Sequence, residues 1–423
     1  MIHTLAWRNL WRRKQRTLFT ALAMGVGVAL SIGAMALQAG IFSEVFDEMV
    51  TDTLGHIQVH HPQYPTLKHL HDTIPQTDYV VEIMEQVPKT RVVVPRLFTV
   101  ALAGGKNTSA GALLIGVDPK KEAILSEIDR EVIEGRWLKP QAQEEITLGK
   151  ELAKELDVSI DSQVALVGQD SFGGVAQGLF TVVGLVESGL IELDQGGIWL
   201  HLQDAQTLFG LENQVHELLI AGGSTSKEAM SFGKGKQRIK DFKKEIEQVL
   251  SEVKQPLLVQ TWREARPSIS QLMDTQQASA YIMLAIVLAV AAIGVLNTML
   301  MNIYERQREI GVMLALGVKP NMLRKLIFLE SFYLASLAAL IGLILGGLIA
   351  WLLGTYGLDF SVNGEGLSYG GVRLSPRLYG VFEFSAVLLS LSALYIMTFL
   401  AAIWPAIKAT RVEPVTAISR GDF

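Results

Sequence analysis

Residues Asn302 to Gly317 read NIYERQREIGVMLALG, and the rest of the chain is arranged around them. The stretch follows a long apolar run and carries Glu305, Arg306, Arg308 and Glu309 on one turn. It then presents Ile310, Met313 and Leu314 at helical spacing, with Gly311 inside the helix, and stops at Gly317. A glycine after the last helical residue supplies the left-handed conformation that ends a helix, and Pro320 starts a new segment. The pattern predicts a short charged and then apolar helix attached to a membrane span. Exposed Ile310, Met313 and Leu314 would have no use without a partner, so they are expected to form a ridge that docks another protein.

Working outward, four apolar runs reach the roughly 20 residues that a helix needs to cross a bilayer. They are Leu18–Phe42, Ala278–Ile303, Leu326–Leu353 and Phe384–Trp404. The first is longer than the apolar centre of a cleaved signal and reads as a retained anchor. The fold class expected is a membrane protein with four transmembrane α-helices and one large α+β soluble domain at residues 43–277. Residues 304–325 connect spans two and three, residues 354–383 connect spans three and four, and residues 405–423 form the tail.

Basic residues set the orientation. Arg8, Arg12, Arg13, Lys14 and Arg16 precede span one; Arg306, Arg308, Lys319, Arg324 and Lys325 separate spans two and three; Lys408 and Arg411 follow span four. The excess of Lys and Arg on the cytoplasmic side puts both termini and residues 304–325 inside, and residues 43–277 and 354–383 outside, which in a double-membraned bacterium means the periplasm. The net charge of −5 sums compartments that never meet, so it says little about partners. The absence of cysteine fits an oxidising compartment without requiring one.

Residues 1–17 read as an amphipathic helix on the inner membrane face, with Ile2, Ala6, Trp7, Leu10 and Trp11 on one side and Arg8, Arg12 and Arg16 on the other. Gly25 and Gly33, the latter paired with Ala29, and the Gly342/Gly346 pair are small residues that let helices approach closely, and they mark candidate faces between subunits. Glu330, about a turn into span three, is a functional candidate because a charge in lipid is expensive; the alternative is a place at the headgroup level, bonded to a neighbour such as Ser331 or Tyr333.

In the soluble region, alternation and turn residues predict strands near 56–60, 91–102, 110–117, 145–148, 163–167, 179–186, 197–200, 216–221 and 257–260. Helices are expected at 79–87, 149–156, 202–209 and 239–250. Two βαβ-like pieces, 56–117 and 215–261, would close one unit around a β-rich insert, 118–214, forming a second lobe. The breaker-free run from Pro267 predicts one rod that rises into span two and continues into the opening stretch.

His56, His60, His61, His69 and His71 cluster in sequence, which would suit a metal or pH-sensitive site. Spread over a strand, a Pro-bounded turn and a loop, they read instead as surface residues, and no metal ligand is assigned. Lys227 to Lys244 reads as a loop and the solvated face of a helix, with docking of an external partner as the alternative. No GxxxxGK[ST] loop and no HExxH occurs, so neither a phosphate-cradling ATPase loop nor a zinc protease motif is present, and no catalytic residue or nucleic-acid partner is expected.

The segment ERQREIGVMLALG resembles the cytoplasmic coupling segment of the FtsX-like permeases, the superfamily that includes MacB-type exporters and LolC/LolE-type lipoprotein-releasing subunits. LAWRNLWRRKQRTLFTALAMGVGV, GVDPKKEAILSEIDREVIEGRWL, EITLGKELAKEL and PAIKATRVEPVTAI are similar to further parts of that superfamily. The resemblance implies a dimer, with a second copy or a paralogue, in the bacterial inner membrane, working with two cytoplasmic ABC ATPase subunits that bind ATP and Mg. It implies that Glu305–Gly317 seats in an ATPase groove and that the soluble lobes are porter-like and sabre-like. The layout without a fused ATPase is closer to LolC and LolE, and a lipoprotein, lipid or other hydrophobic molecule is the implied cargo. A regulatory scaffold driving a periplasmic enzyme by the same stroke is the other implied reading. A membrane-anchored metal sensor built on the histidines is a third alternative.

Overall fold

The computed structural model describes residues 2–46, 54–222, 234–360, 368–369 and 371–411. In chain order the principal elements are α1 (Ile2–Leu10), α2 (Lys14–Phe46), β1 (Ile57–His60), α3 (Thr77–Glu85), β2 (Thr90–Gly104), β3 (Ser109–Val117), α4 (Pro119–Ser126), β4 (Val132–Gly135) and β5 (Glu145–Gly149). They continue with β6 (Gln163–Gln169), β7 (Val175–Val186), β8 (Gly197–His201), α5 (Leu202–Phe209), β9 (Glu217–Gly222), α6 (Lys234–Leu250) and β10 (Leu258–Thr261). Last come α7 (Pro267–Glu305), α8 (Gln307–Ala315), α9 (Pro320–Tyr356) and α10 (Phe384–Thr410).

The chain divides into two units. The helical unit comprises Met1–Ile41, Met273–Phe360 and Arg377–Phe423, and the soluble unit comprises Phe42–Leu272 with Ser361–Pro376. The connection expected as a periplasmic loop at 354–383 gives its middle, Ser361–Pro376, to the soluble unit.

In the helical unit, α2, α7, α9 and α10 carry the four apolar runs, each long and apolar enough to cross a membrane. Four of their glycines pack closely inside this one chain. A Cβ at Gly25 would fall 2.7 Å from Ile341, at Gly33 2.6 Å from Ile349, at Gly342 2.7 Å from Val28, and at Gly346 3.0 Å from Ile32. These four residues thus seat α2 on α9. The close helix packing expected of them is thus found within this chain, between α2 and α9.

The N-terminal helix forms over Ile2–Leu10, as expected. Ala6 is fully buried, in a cluster with Ile303, Ile310, Ile327 and Ala406, and Leu10 is buried too. The apolar face of α1 packs on protein, because Ala6 lets it approach closely; only Trp7 stays half exposed, edge-on to Tyr333.

The soluble unit is built on one mixed sheet in the order β10-β1-β9-β2-β3-β8-β5-β7-β4, with β6 pairing both β2 and β7. That extra pairing closes β2-β3-β8-β5-β7-β6 into a barrel, which removes exposed strand edges. Its interior is filled by Ala103, Leu114, Leu148, Leu166, Phe180 and Leu200. The other end, β10-β1-β9-β2, is antiparallel and carries α3 and α6 on one face through Val80, Met84, Phe242 and Ile246.

Residues 56–117 and 215–261 do share this end. The insert 118–214 does not make a sheet of its own, however: the long strand β2 serves the antiparallel end with its first half and the barrel with its second. Between Val117 and Glu145 lie two elements that the pattern of apolar residues did not reveal, α4 and β4. Asp118 caps α4 by accepting the amides of Lys120 and Lys121, and Pro119 starts it, so the Asp-Pro pair was the available signal.

The histidine cluster is not a surface. His56 and His60 are each 4 % exposed, in or beside the central strand β1, and only His69 and His71 are fully outside. His60, Tyr64 and His216 stack with ring centroids 5.8 and 4.9 Å apart. Among the described residues no group of three or more histidine and carboxylate side chains is placed to hold a metal. Of Lys227 to Lys244, residues 227–233 lie outside the described residues, as does the tail beyond 411.

Candidate coupling site

The rod expected to run unbroken into the opening stretch has a joint. Helix α7 ends at Glu305, Arg306 leaves helical geometry at φ −105° and ψ 15°, and α8 begins at Gln307. The far end of α8 follows the sequence signal. Gly317 sits at φ +88°, its amide donates to the Leu314 carbonyl at 3.1 Å, and the Val318 amide donates to the Met313 carbonyl at 3.0 Å. These two bonds are the Schellman arrangement, which requires the left-handed residue that glycine supplies without strain. Pro320 then occupies the first turn of α9, where its missing N–H costs nothing.

The face that α8 presents is not the one expected. Ile310 is 3 % exposed and Gly311 is buried, while Met313 and Leu314 are half-buried against the cluster of Ala6, Leu323, Ile327 and Ala406. The ridge of Ile310, Met313 and Leu314 is therefore turned inward, because the ends of α1, α7, α9 and α10 offer it apolar surface. The outward face carries Arg308, Val312, Ala315 and Leu316, the last 80 % exposed.

The charged residues of the same stretch form a network at the joint. Glu330 is 2 % exposed, and its Oε1 accepts from Asn9 Nδ2 at 2.7 Å and from Arg306 Nη1 at 3.0 Å. Its Oε2 takes a longer bond from Asn302 at 3.5 Å. Ser331 donates to the Ile327 carbonyl and Tyr333 bonds His3, so neither neighbour expected for Glu330 is its partner. Glu305 accepts from Arg13 at 2.7 Å and Arg16 at 3.0 Å. Glu309 pairs with Arg12 and, at 3.3 Å, with Arg306. The Arg12 guanidinium holds the Glu309 carboxyl below its ordinary range, Arg306 adding to this against partial burial.

Of the residues read from the opening stretch, Glu305, Arg306, Ile310, Gly311, Met313 and Leu314 thus face the protein, and only Arg308 and Glu309 are exposed among the charged ones. Asn9, Arg12, Arg13, Arg16 and Asn302 are the partners that sequence reasoning missed. Four arginines and three glutamates surround a cleft of about 140 Å³ at this corner. Arg306, at the joint between α7 and α8, is thus tied through Glu330 of α9 to Asn9 of α1.

Four apolar helices, a short capped helix between the second and third, and a large mixed α/β unit inserted between the first and second give the layout of a multi-pass membrane protein with one large inserted domain. Residues 17–231 match the MacB-like periplasmic core domain model, and residues 281–414 match the FtsX-like permease C-terminal model. The first match covers half of the chain, and the chain belongs to this MacB/FtsX-like family of ABC transporter permeases. It is 24 % identical to the lipoprotein-releasing system transmembrane protein LolC of Neisseria meningitidis over 77 % of each chain. It is 23 % identical to LolE of Haemophilus influenzae over 95 % of this chain and 93 % of that one. It is also 23 % identical to the macrolide export ATP-binding/permease protein MacB of Pasteurella multocida, over 98 % of this chain and 60 % of that one.

Proposed function

We propose that this chain is the permease subunit of a transporter in which ATP hydrolysis on a separate cytoplasmic ABC ATPase dimer drives motion of the soluble unit. ATP and Mg belong to that partner. The single observation that carries the reading is α8: a short helix pinned on one side by Ile310 and the Arg306–Glu330 pair, and free on the other to present Arg308, Val312, Ala315 and Leu316. A partner that pushes on the free face displaces the pinned one, and through it α7 and α9.

Both termini and α8 are assigned to the cytoplasm from the basic flanks, and the soluble unit to the periplasm. The relatives named for lipoprotein release and matched over nearly their whole length support a lipoprotein, lipid or similar hydrophobic cargo. A second copy or a paralogous permease completes the assembly, since two ATPase subunits need two coupling helices.

The test is co-purification of the full-length protein with its ATPase from membranes, followed by measurement of ATP hydrolysis. Val312→Asp with Leu316→Asp is expected to abolish association while leaving the permease folded and inserted. Undiminished association and hydrolysis in that variant would sink the proposal.

A further inference from the structure

The chain passes between the two units four times. Two of these passages are continuous helices, α2 and α7; the other two are the non-helical connections that leave α9 and lead into α10, on either side of Ser361–Pro376. Within that segment the described residues are held to the soluble unit in three ways. The Arg373 amide donates to the Gly189 carbonyl at 2.7 Å, and the Ile191 amide donates back to the Gly371 carbonyl at 3.1 Å. The Ser375 amide donates to Glu44 Oε1 at 2.5 Å. The Arg373 guanidinium pairs with Glu187 and lies 3.8 Å from Asp194 Oδ2.

The electrostatics make Arg373 the centre of the attachment. Asp194 is 1 % exposed; its Oδ1 accepts the Ser188 amide at 2.7 Å and hydroxyl at 2.8 Å, whereas its Oδ2 has no hydrogen-bond partner. Glu187 is shared with Lys150 at 3.2 Å, but Arg373 is the cation set against both carboxylates. A buried carboxylate without a facing charge is strongly unfavourable, so removing Arg373 loosens the site from both sides. Gly189 and Gly371, at φ +76° and +90°, permit the turns that bring the two backbones into register.

We propose that Gly371–Ser375 is a clip that fastens the connection between α9 and α10 to the soluble unit, making it a third path for displacement besides α2 and α7. The proposal rests on the permease reading given above for what drives that displacement; the clip itself does not depend on it. Arg373 is its positioning residue, and Glu187 with Asp194 its seat.

Hydrogen exchange on the full-length protein in lipid nanodiscs tests the clip. Arg373→Ala is expected to speed exchange at the Ile191 and Arg373-position amides by about tenfold or more, with the amides of Ile198–Leu200 unchanged. Because the chain contains no cysteine, a Glu44→Cys/Ser375→Cys pair oxidised in the Arg373→Ala background gives a clean control and is expected to restore protection. Unchanged exchange in Arg373→Ala overturns the clip. In the assembled transporter, the same variant is expected to lose most of the coupling between cargo release and ATP hydrolysis, and the disulfide to regain it. Faster exchange with wild-type coupling overturns the third path. A wild-type protein that binds no ATPase refutes the proposed ATPase coupling instead and leaves the exchange result standing.

Discussion

Glu330 is the residue whose environment differs most from what its neighbours in sequence suggest. Its position inside an apolar run marks it as costly, but the groups that offset the cost, Asn9 and Arg306, are 321 and 24 residues away. No periodicity encodes such pairs. Removing one partner of a buried pair leaves the other uncompensated, at about 3–5 kcal/mol. Glu330→Ala is therefore expected to lower the unfolding temperature of the detergent-solubilised protein sharply, and Glu330→Gln by less, since its amide still bonds Asn9. Equal unfolding temperatures for the wild type and Glu330→Ala would contradict the network.

The histidines make the same point with a sign that can be checked. Burial lowers the pKa of His56 to about 4, with Arg91 adding to the effect. Burial likewise takes His216 to about 4, against the Leu70 carbonyl and Asp72. His60 is also lowered, Glu217 partly offsetting burial. Each is neutral in the fold and charged in the unfolded chain between its folded pKa and about 6.5, so the unfolded state binds more protons in that window. Stability is then full above about pH 7 and is lost as pH falls toward 4, by ~3 kcal/mol for each of His56 and His216. Thermal unfolding of the full-length protein across pH 4–8 reads this directly. Replacing both residues by Gln is expected to flatten the profile, and a wild-type profile already flat would refute the assignment.

At the scale of elements, α8 divides cleanly into what was legible and what was not. Its end at Gly317 is a local event, fixed by one residue's conformational freedom, and the sequence signal for it is sufficient. Its facing is a tertiary choice. Ile310, Val312, Met313, Leu314 and Leu316 surround most of the helix, so apolar spacing alone does not say which side is covered. The joint at Arg306 is invisible for a related reason: no proline or glycine breaks the helix there. The pull of Glu330 on the guanidinium coincides with the break. The glycines behave similarly, since small residues announce a close approach without naming the partner helix. Because a Cβ at Gly342 would lie 2.7 Å from Val28, Gly342→Leu is expected to separate α2 from α9 and destabilise the protein by several kcal/mol. Gly294→Leu, with nothing within 4 Å of its Cβ position, is its control. Similar thermal stability for the two variants would argue against this packing.

For the whole molecule, the four apolar runs, the inserted soluble unit and most of its strands follow from composition and alternation. The barrel does not. Its closure depends on β6 pairing with both β2 and β7, and only the fold shows that β2 is shared between barrel and antiparallel end. The dependence of the account on α8 is of the same kind: family membership makes a permease, but which side chains meet a partner depends on how that helix is seated. Photo-cross-linking in native membranes measures this most directly, with a photoreactive residue placed at Leu316 in one variant and at Ile310 in another. The account predicts a nucleotide-dependent adduct with an ATP-binding subunit from position 316 and none from position 310. An adduct from position 310 with none from position 316 would contradict it.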